Sequence, residues 1–335
     1  MRAELAPVLC CPACRGALRV TSREERAGEV IEGELTCAAC GRRHPVHGSI
    51  PRFVPPANYA SSFGFQWNRF RATQLDSRSG VEISKERFFR QTGWRPEDLA
   101  GSWVLDVGCG AGRFAEVALE AGANVVALDY SSAVEACRAN LASGHLHVIQ
   151  GDIFELPVLS ERFDFVYCFG VLQHTPDPAG AFRVIGERLK AGTRLAVDIY
   201  PNLVRNLFWP KYWLRPITKR LSAERLFAIV NWMVPRLLPV SSAIGRIPLI
   251  GRQLRYLVPV MNYSGVLPLS AEQLCEWAAL DTFDMFAAAH DHPRSVQDVE
   301  EWFRSLGWID YEVFRTGVVV GRGTKPAMVS TIREA

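Results

Sequence analysis

Trp103-Val-Leu-Asp106-Val-Gly108-Cys109-Gly110-Ala-Gly112-Arg113-Phe-Ala-Glu-Val-Ala-Leu-Glu120 is the stretch on which the fold of this chain turns. A short apolar run ends in an acid, three glycines follow at alternate positions, and apolar residues then recur at helical spacing. That order predicts strand, tight turn and helix. Glycines let the backbone of such a turn approach a ligand closely at the carboxyl edge of the strand. Spacing decides which ligand. A dinucleotide fingerprint G-x-G-x-x-G starting at Gly108 needs glycine at position 113, where Arg113 stands, so the NAD reading fails at its third glycine. D-x-G-x-G-x-G is met at every fixed position.

Working outward, Asn124-Val-Val-Ala-Leu-Asp129-Tyr130 is a second apolar run ending in an acid, and a carboxylate there can accept two vicinal hydroxyls bidentately. His147-Val-Ile-Gln-Gly151-Asp152-Ile153-Phe154 repeats the pattern, and Arg162 to His174 and Lys190 to Asp198 supply two more strand candidates. Alternation of such runs with helical ones predicts an α/β, doubly wound, Rossmann-like sheet. Near the end, Val296 to Leu306 reads as an amphipathic helix, with Ile309 to Phe314 and Gly317 to Gly323 as a closing pair of strands, making seven.

The complete D-x-G-x-G-x-G motif resembles motif I of the class I S-adenosylmethionine-dependent methyltransferases. The resemblance is dense over Trp103 to Tyr200 and returns at about Ser295 to Lys325. It implies S-adenosyl-L-methionine as cofactor, bound by Gly108, Cys109, Gly110 and Gly112, with Asp106 acting partly through its backbone. It further implies that Asp129, with Tyr130 beside it, holds the ribose, that Asp152 contacts the adenine amino group while Ile153 or Phe154 packs on the ring, and that Phe169 lies near the sulfonium methyl. A methyl sulfonium is intrinsically activated, so alignment and exclusion of water are the main demands on the protein. If the acceptor is a hydroxyl, His174 at the end of strand four is the best-placed general base; the competing reading has it order the Leu172-Gln-His174-Thr-Pro-Asp-Pro178 loop. No N-P-P-Y-type motif follows strand four, where Phe169-Gly-Val-Leu stands, which counts against amide or base-amine transfer.

At the other end, Cys11-Pro-Ala-Cys14 and Cys37-Ala-Ala-Cys40 form two C-x2-C knuckles 22 residues apart, the spacing of a four-cysteine zinc ribbon. So small a segment has too little apolar area to fold by burial alone, and a structural zinc on Cys11, Cys14, Cys37 and Cys40 would supply the difference. Cys10 adjoins the first ligand and enters only as an alternative. The segment from Leu5 to Pro51 resembles the Trm112-like zinc-ribbon family. The resulting plan is ribbon at 1–56, linker and lid helices at 57–100, cofactor-binding core at 101–200, a helical insertion at 201–294 and the closing helix and strands at 295–326.

Composition fills in the insertion. The 335 residues include 48% apolar and 22% charged side chains, an ordinary globular balance that excludes disorder and fibre, and the formal charge is +3. Between Pro201 and Tyr263, however, ten Lys or Arg face the single acid Glu224, a local +9 that leaves −6 for the rest. Phe208, Trp209, Tyr212, Trp213, Trp232 and Tyr256 share that stretch, with several proline-broken helical runs. Three readings compete: an RNA-binding surface, a membrane interface, or a cover whose arginines are solvated. The long aliphatic content argues for hydrophobic insertion over a phosphate groove. The expected acceptor is therefore small or lipid-linked, with peripheral contact to anionic membrane ahead of nucleic acid. A polar cluster from Asp281 to Asp284 and from His290 to Ser295 is expected to be a loop that lines the acceptor pocket or caps the last helix, in preference to a His290–His292 metal pair. Met1 to Leu9 does not read as a signal peptide, so the expected compartment is the cytoplasm, at most peripheral to the inner face of the membrane.

Overall fold

The computed structural model describes residues 1–202 and 209–327; Arg205 and Phe208 of the basic stretch lie outside the described residues. Among the described residues eleven strands form two sheets: β1 (Leu18–Arg26), β2 (Glu29–Cys37), β3 (Arg43–His47) and β4 (Ile50–Pro51) make an antiparallel four-stranded ribbon. Seven more, β5 (Trp103–Val107), β6 (Asn124–Asp129), β7 (Leu146–Gln150), β8 (Phe165–Cys168), β9 (Arg194–Ile199), β10 (Tyr311–Arg315) and β11 (Val319–Thr324), form one sheet in the order β10-β11-β9-β8-β5-β6-β7. Strands β5 to β9 run parallel, and β11 enters antiparallel between β10 and β9. This is the seven-stranded methyltransferase-type sheet expected from the sequence. Because β5 pairs with β6 on one side and β8 on the other, strand order reverses there, and the carboxyl ends on either side splay into a crevice.

The ribbon attaches to the outer strand of the large sheet. Arg52, just past β4, forms a parallel bridge with Gln150 of β7, and the Phe53 N–H donates to the Gln150 carbonyl at 2.9 Å. Nearby, Leu9 bridges Val158, and Glu29 of β2 pairs with Arg138 at 2.7 Å. These contacts cover a sheet edge that would otherwise offer unpaired N–H and C=O groups. Buried side chains from both parts, including Leu5, Leu35 and Val46 with Val126, Ile149 and Phe163, form one continuous core.

A separate core joins the helix Ala223–Gly245 to the helix Ala271–Ala287 through Leu226, Val230, Val234 and Leu238 facing Ala278, Phe283 and Phe286. The expectation of proline-broken pieces fails here, since the helix Ala223–Gly245 runs on through Pro235 and Pro239. Both prolines lie on its exposed face, where the carbonyls they strand can reach water. The loop expected at Asp281 to Asp284 is likewise corrected, for both acids sit inside the helix Ala271–Ala287, begun by a Ser270–Gln273 capping box. Ser295 caps the helix Val296–Ser305, with its Oγ accepting from the Asp298 N–H at 3.1 Å.

Asp106 on β5 stands in register with Tyr167 of β8, both fully buried. Neither Asp106 Oδ2 nor the Tyr167 hydroxyl has a hydrogen-bond partner among the described residues. Burial pushes the carboxyl up to about 8, so it is held neutral at pH 7. An unfolded carboxyl titrates near ~3.9. Between these values the unfolded chain has released its proton and the folded chain has not, so this group costs stability as pH rises from about 4 and the cost levels off above about 8. Asp106→Asn removes the effect: its stability relative to the parent, read from urea midpoints at successive pH values, should rise by about 1 kcal/mol per pH unit across that window.

Candidate active site

The carboxyl ends of the parallel strands open into one cavity of about 730 Å³. Its floor is the glycine turn. Gly108 has φ +89° and a Cβ there would fall 2.2 Å from the Val171 side chain, so only glycine fits. Gly110 has φ +52° and lies under the Trp67 indole, whose ring atoms would stand 3.1 Å from a Cβ. Trp67 and Phe63 belong to the helix Ser61–Arg69, and with Arg87 of the helix Ile83–Thr92 they roof the cavity. The first face of the turn is fixed from below by the Gly108 and Cys109 N–H groups, which donate to the Leu128 carbonyl at 2.7 and 2.9 Å.

Asp129 ends β6 in the cavity wall. Its Oδ2 accepts from the Gly110 N–H at 2.9 Å, and its Oδ1 from the Ser131 N–H and hydroxyl at 2.8 and 2.7 Å. Oδ2 still has a lone pair for a ligand, whereas both lone pairs of Oδ1 are engaged by Ser131. Burial pushes the carboxyl up against the opposing pull of those donors. Of the other residues expected to hold the cofactor, Gly108, Cys109, Gly110, Tyr130, Ile153 and Phe169 line this cavity. Asp106, Gly112 and Asp152 do not: Asp106 lies inside the sheet, Gly112 is the N-cap of the helix Arg113–Glu120, and Asp152 Oδ1 accepts from the Phe154 N–H at 2.8 Å beside the cavity. Gly170 was not singled out from sequence, yet it lines the cavity with φ +72° and a Cβ there would meet nothing within 4 Å. A glycine turn, a strand-end carboxylate, apolar Ile153 and Phe169 walls and open space over Gly170 together fit a nucleoside-sized cofactor.

Beyond Phe169 the cavity continues into a polar half that holds His174, Tyr200, Tyr263, Asp281, Asp284 and Arg113. His174 Nδ1 lies 3.0 Å from the His290 carbonyl, which can only accept, so Nδ1 carries a proton. Nε2 stands 3.8 Å from Asp284 Oδ2, between the rings of Phe63 and Tyr200. The Tyr200 hydroxyl donates to Asp284 Oδ2 at 3.4 Å, and the Tyr263 hydroxyl donates to Asp281, whose carboxyl burial pushes up to about 6. Arg113 is held by the Ser84 hydroxyl and the Gln74 side-chain oxygen, both at 2.9 Å, and lies over the Phe114 and Trp277 rings. Tyr200 and Tyr263 had no signal in the sequence, because they reach the site from points 63 residues apart.

Of the two roles expected for the His290 to Ser295 segment, Ser295 takes the helix-capping one, and the segment runs behind the wall without lining the pocket. Arg294 bridges Pro201, its N–H donating to the Tyr200 carbonyl at 2.9 Å, and this pairing sets the His290 carbonyl against His174. Asp291 pairs with Lys211 at 2.6 Å, and Arg215 donates to the Met285 and Ala288 carbonyls, capping the end of the helix Ala271–Ala287. Two of the ten basic residues are therefore buried structural groups, and Arg215 is no surface cation.

In the ribbon, the sulfurs of Cys11, Cys14, Cys37 and Cys40 all lie within 4.8 Å of one another, with Cys11–Cys40 at 3.7 Å and Cys14–Cys37 at 3.4 Å. A tetrahedral zinc with Zn–S near ~2.3 Å needs edges of about 3.8 Å, so the set could hold one. Cys10 stands apart, its N–H on the Pro157 carbonyl.

Residues 105–197 match the methyltransferase domain family, and residues 2–49 match the Trm112p-like proteins. A ubiquinone biosynthesis O-methyltransferase of Alkalilimnicola ehrlichii is 36% identical over 136 residues, 39% of this chain and 51% of that protein. An O-methyltransferase of Aspergillus nomiae is 28% identical over 123 residues, 35% of this chain and 55% of that one. The chain thus spans about half the length of the curated relatives it matches. A solved complex of the Haloferax volcanii Trm112 methyltransferase activator with a methyltransferase shares 14% identity at a TM-score of 0.46, over 79% of this chain and 97% of that one. With motif and sheet order in agreement, the chain has a Rossmann-like methyltransferase fold, preceded by a ribbon similar to the Trm112p-like proteins.

Proposed function

We propose that the chain is an S-adenosylmethionine-dependent O-methyltransferase acting on a hydroxyl of a small or lipid-linked acceptor. The observation that carries this reading is the continuity of one cavity from Gly110 and Asp129 to His174. When bound, the cofactor supplies a methyl carbon already activated by its sulfonium, so the residues of the chain have three tasks: to hold, to align and to keep water out. Asp129 and the turn would hold the ribose side, and Trp67 and Phe63 would exclude solvent from above. Nδ1 of His174 is occupied by the His290 carbonyl, which would leave Nε2 to take the acceptor's proton during transfer. Asp284 lies where its charge would favour the imidazolium that results. Tyr200 and Tyr263 offer hydroxyls to orient a polar acceptor, and Trp277 and Leu267 offer apolar area.

The relatives' O-methyltransferase names support the hydroxyl as acceptor, as does the absence of an N-P-P-Y-type sequence after β8. A tRNA or rRNA methyltransferase is the enzymatic second reading, suggested by a zinc ribbon of the kind that accompanies RNA-modifying enzymes and by the basic insertion. A partner-binding protein with a vestigial cofactor fold is the second reading from another class; the intact Asp129 carboxylate and glycine turn speak against it.

Calorimetry with S-adenosylhomocysteine should show one site per chain, weakened at least tenfold by Asp129→Ala. An absence of binding by the parent chain would make the partner-binding reading the leading one. With tritiated S-adenosylmethionine and an extract of small molecules and lipids, His174→Ala should lower label transfer by roughly 10²–10⁴-fold while cofactor affinity is kept. Unchanged transfer in that variant would reduce His174 to a loop-ordering residue.

The four cysteines are proposed to hold one structural zinc. Mercurial treatment in the presence of a zinc-binding dye should release one ion per chain, and Cys14→Ser should purify without it and melt at lower temperature.

A further inference from the structure

We infer that the helical insertion docks peripherally on an anionic lipid bilayer through an arginine-flanked apolar spike at 246–252 and the exposed face of the helix Ala223–Gly245. The inference does not depend on the proposed transfer chemistry. Thirteen large apolar side chains are exposed among the described residues, and eleven of them lie between Trp213 and Val266. A soluble surface scatters such residues singly; their concentration in one insertion marks an interaction surface.

The spike is the sharpest case. Arg246-Ile-Pro-Leu-Ile-Gly-Arg252 projects Leu249 at 97% exposure, with Ile247 and Ile250 also exposed and both arginines beside them in solvent. Leu249 has φ +67°, a left-handed backbone that a branched side chain rarely adopts. The turn therefore holds an apolar side chain outward at a conformational cost, with nothing in the protein packed against it. On the helix Ala223–Gly245, Leu226, Val230, Val234 and Leu238 face the core, while Arg225, Ile229, Trp232 and Arg236 recur on the opposite stripe. Arg236 stacks over the Trp232 ring at 4.8 Å, an aromatic–cation pair suited to the headgroup boundary.

Charge selects the occupant. Lys219, Arg220, Arg225, Arg236, Arg246 and Arg252 are all exposed, against the one exposed acid Glu224 between Pro201 and Tyr263; the exposed Glu272 and Glu276 follow only in the helix Ala271–Ala287. Cations interleaved with outward aliphatic tips match an anionic headgroup layer above acyl chains, whereas a nucleic-acid groove would present stacking rings and no such tips. The helix Ala223–Gly245 is long and apolar enough to cross a membrane by length and composition. Its packed stripe and the exposed Arg225 and Arg236 place it on the surface instead. Val266, exposed, and Leu267 and Pro268 line the cavity from this same insertion, so the docked face leads toward the site.

The full chain should float with vesicles of phosphatidylcholine containing phosphatidylglycerol, and float far less with phosphatidylcholine alone or at 0.5 M salt. The triple variant Lys219→Ser, Arg220→Ser, Arg225→Ser should weaken partitioning on the order of a hundredfold, at about fivefold per cation. Leu249→Ser with Trp232→Ser should lose flotation even on strongly anionic vesicles. Both variants, altered only at exposed positions outside the cavity, should keep the parent's melting temperature and its affinity for S-adenosylhomocysteine. No flotation of the parent chain on anionic vesicles overturns the inference. So does flotation that neither folded variant impairs, and so does an RNA shift lost on removing the same three cations when vesicles are not bound.

Discussion

Three hydrogen bonds join the turn after β5 to the end of β6, two from the Gly108 and Cys109 N–H groups to the Leu128 carbonyl and one from the Gly110 N–H to the Asp129 carboxylate, and the site is organised around the last. Without that acceptor the Gly110 N–H, in a left-handed backbone, would face the cavity with nothing to fix its direction. With it, the turn becomes a rigid floor onto which Trp67 can close, and the carboxylate is held where it faces the cavity. Asp129 is therefore both scaffold and binding group, which explains why burial and its own hydrogen bonds act on its charge in opposite senses.

How much of this was legible beforehand follows from how local each signal is. Strands β5 and β6, the glycine turn and the four cysteines are written in short windows, where backbone geometry dictates residue type at fixed spacing. Asp281 and Asp284 read as a loop together with the His290 cluster, although the Ser270–Gln273 capping box that begins their helix is a local signal; what is not local is their bonding to the tyrosines from 200 and 263. No window contains that information. Asp106 shows the reverse: its place in the motif suggests a ligand acting partly through its backbone, while alternation along β5 turns its side chain to Tyr167.

The insertion divides its charge in a way that composition alone could not reveal. Lys211 and Arg215 are turned inward, one neutralising Asp291 and the other closing a helix end, and both brace the wall behind His174. Burial of these two cations is sustained because each finds defined acceptors, as an unpaired buried charge would be prohibitive. The remaining exposed cations accompany outward apolar tips. One basic segment thus carries a load-spreading inner face and a chemically distinct outer one.

Arg15 gives the ribbon a consequence beyond covering an edge. It follows Cys14 directly, adopts φ +64°, and donates to the Leu156 and Val158 carbonyls at 2.8 and 3.0 Å. Those carbonyls belong to the loop that leaves β7 and carries Ile153 into the cavity wall. The cysteine knuckle and the wall are thus two ends of one mechanical link. Any coupling that this link carried would be reciprocal: a ligand on Ile153 that tightened the knuckle would itself be favoured, by the same free energy, when the knuckle is ordered.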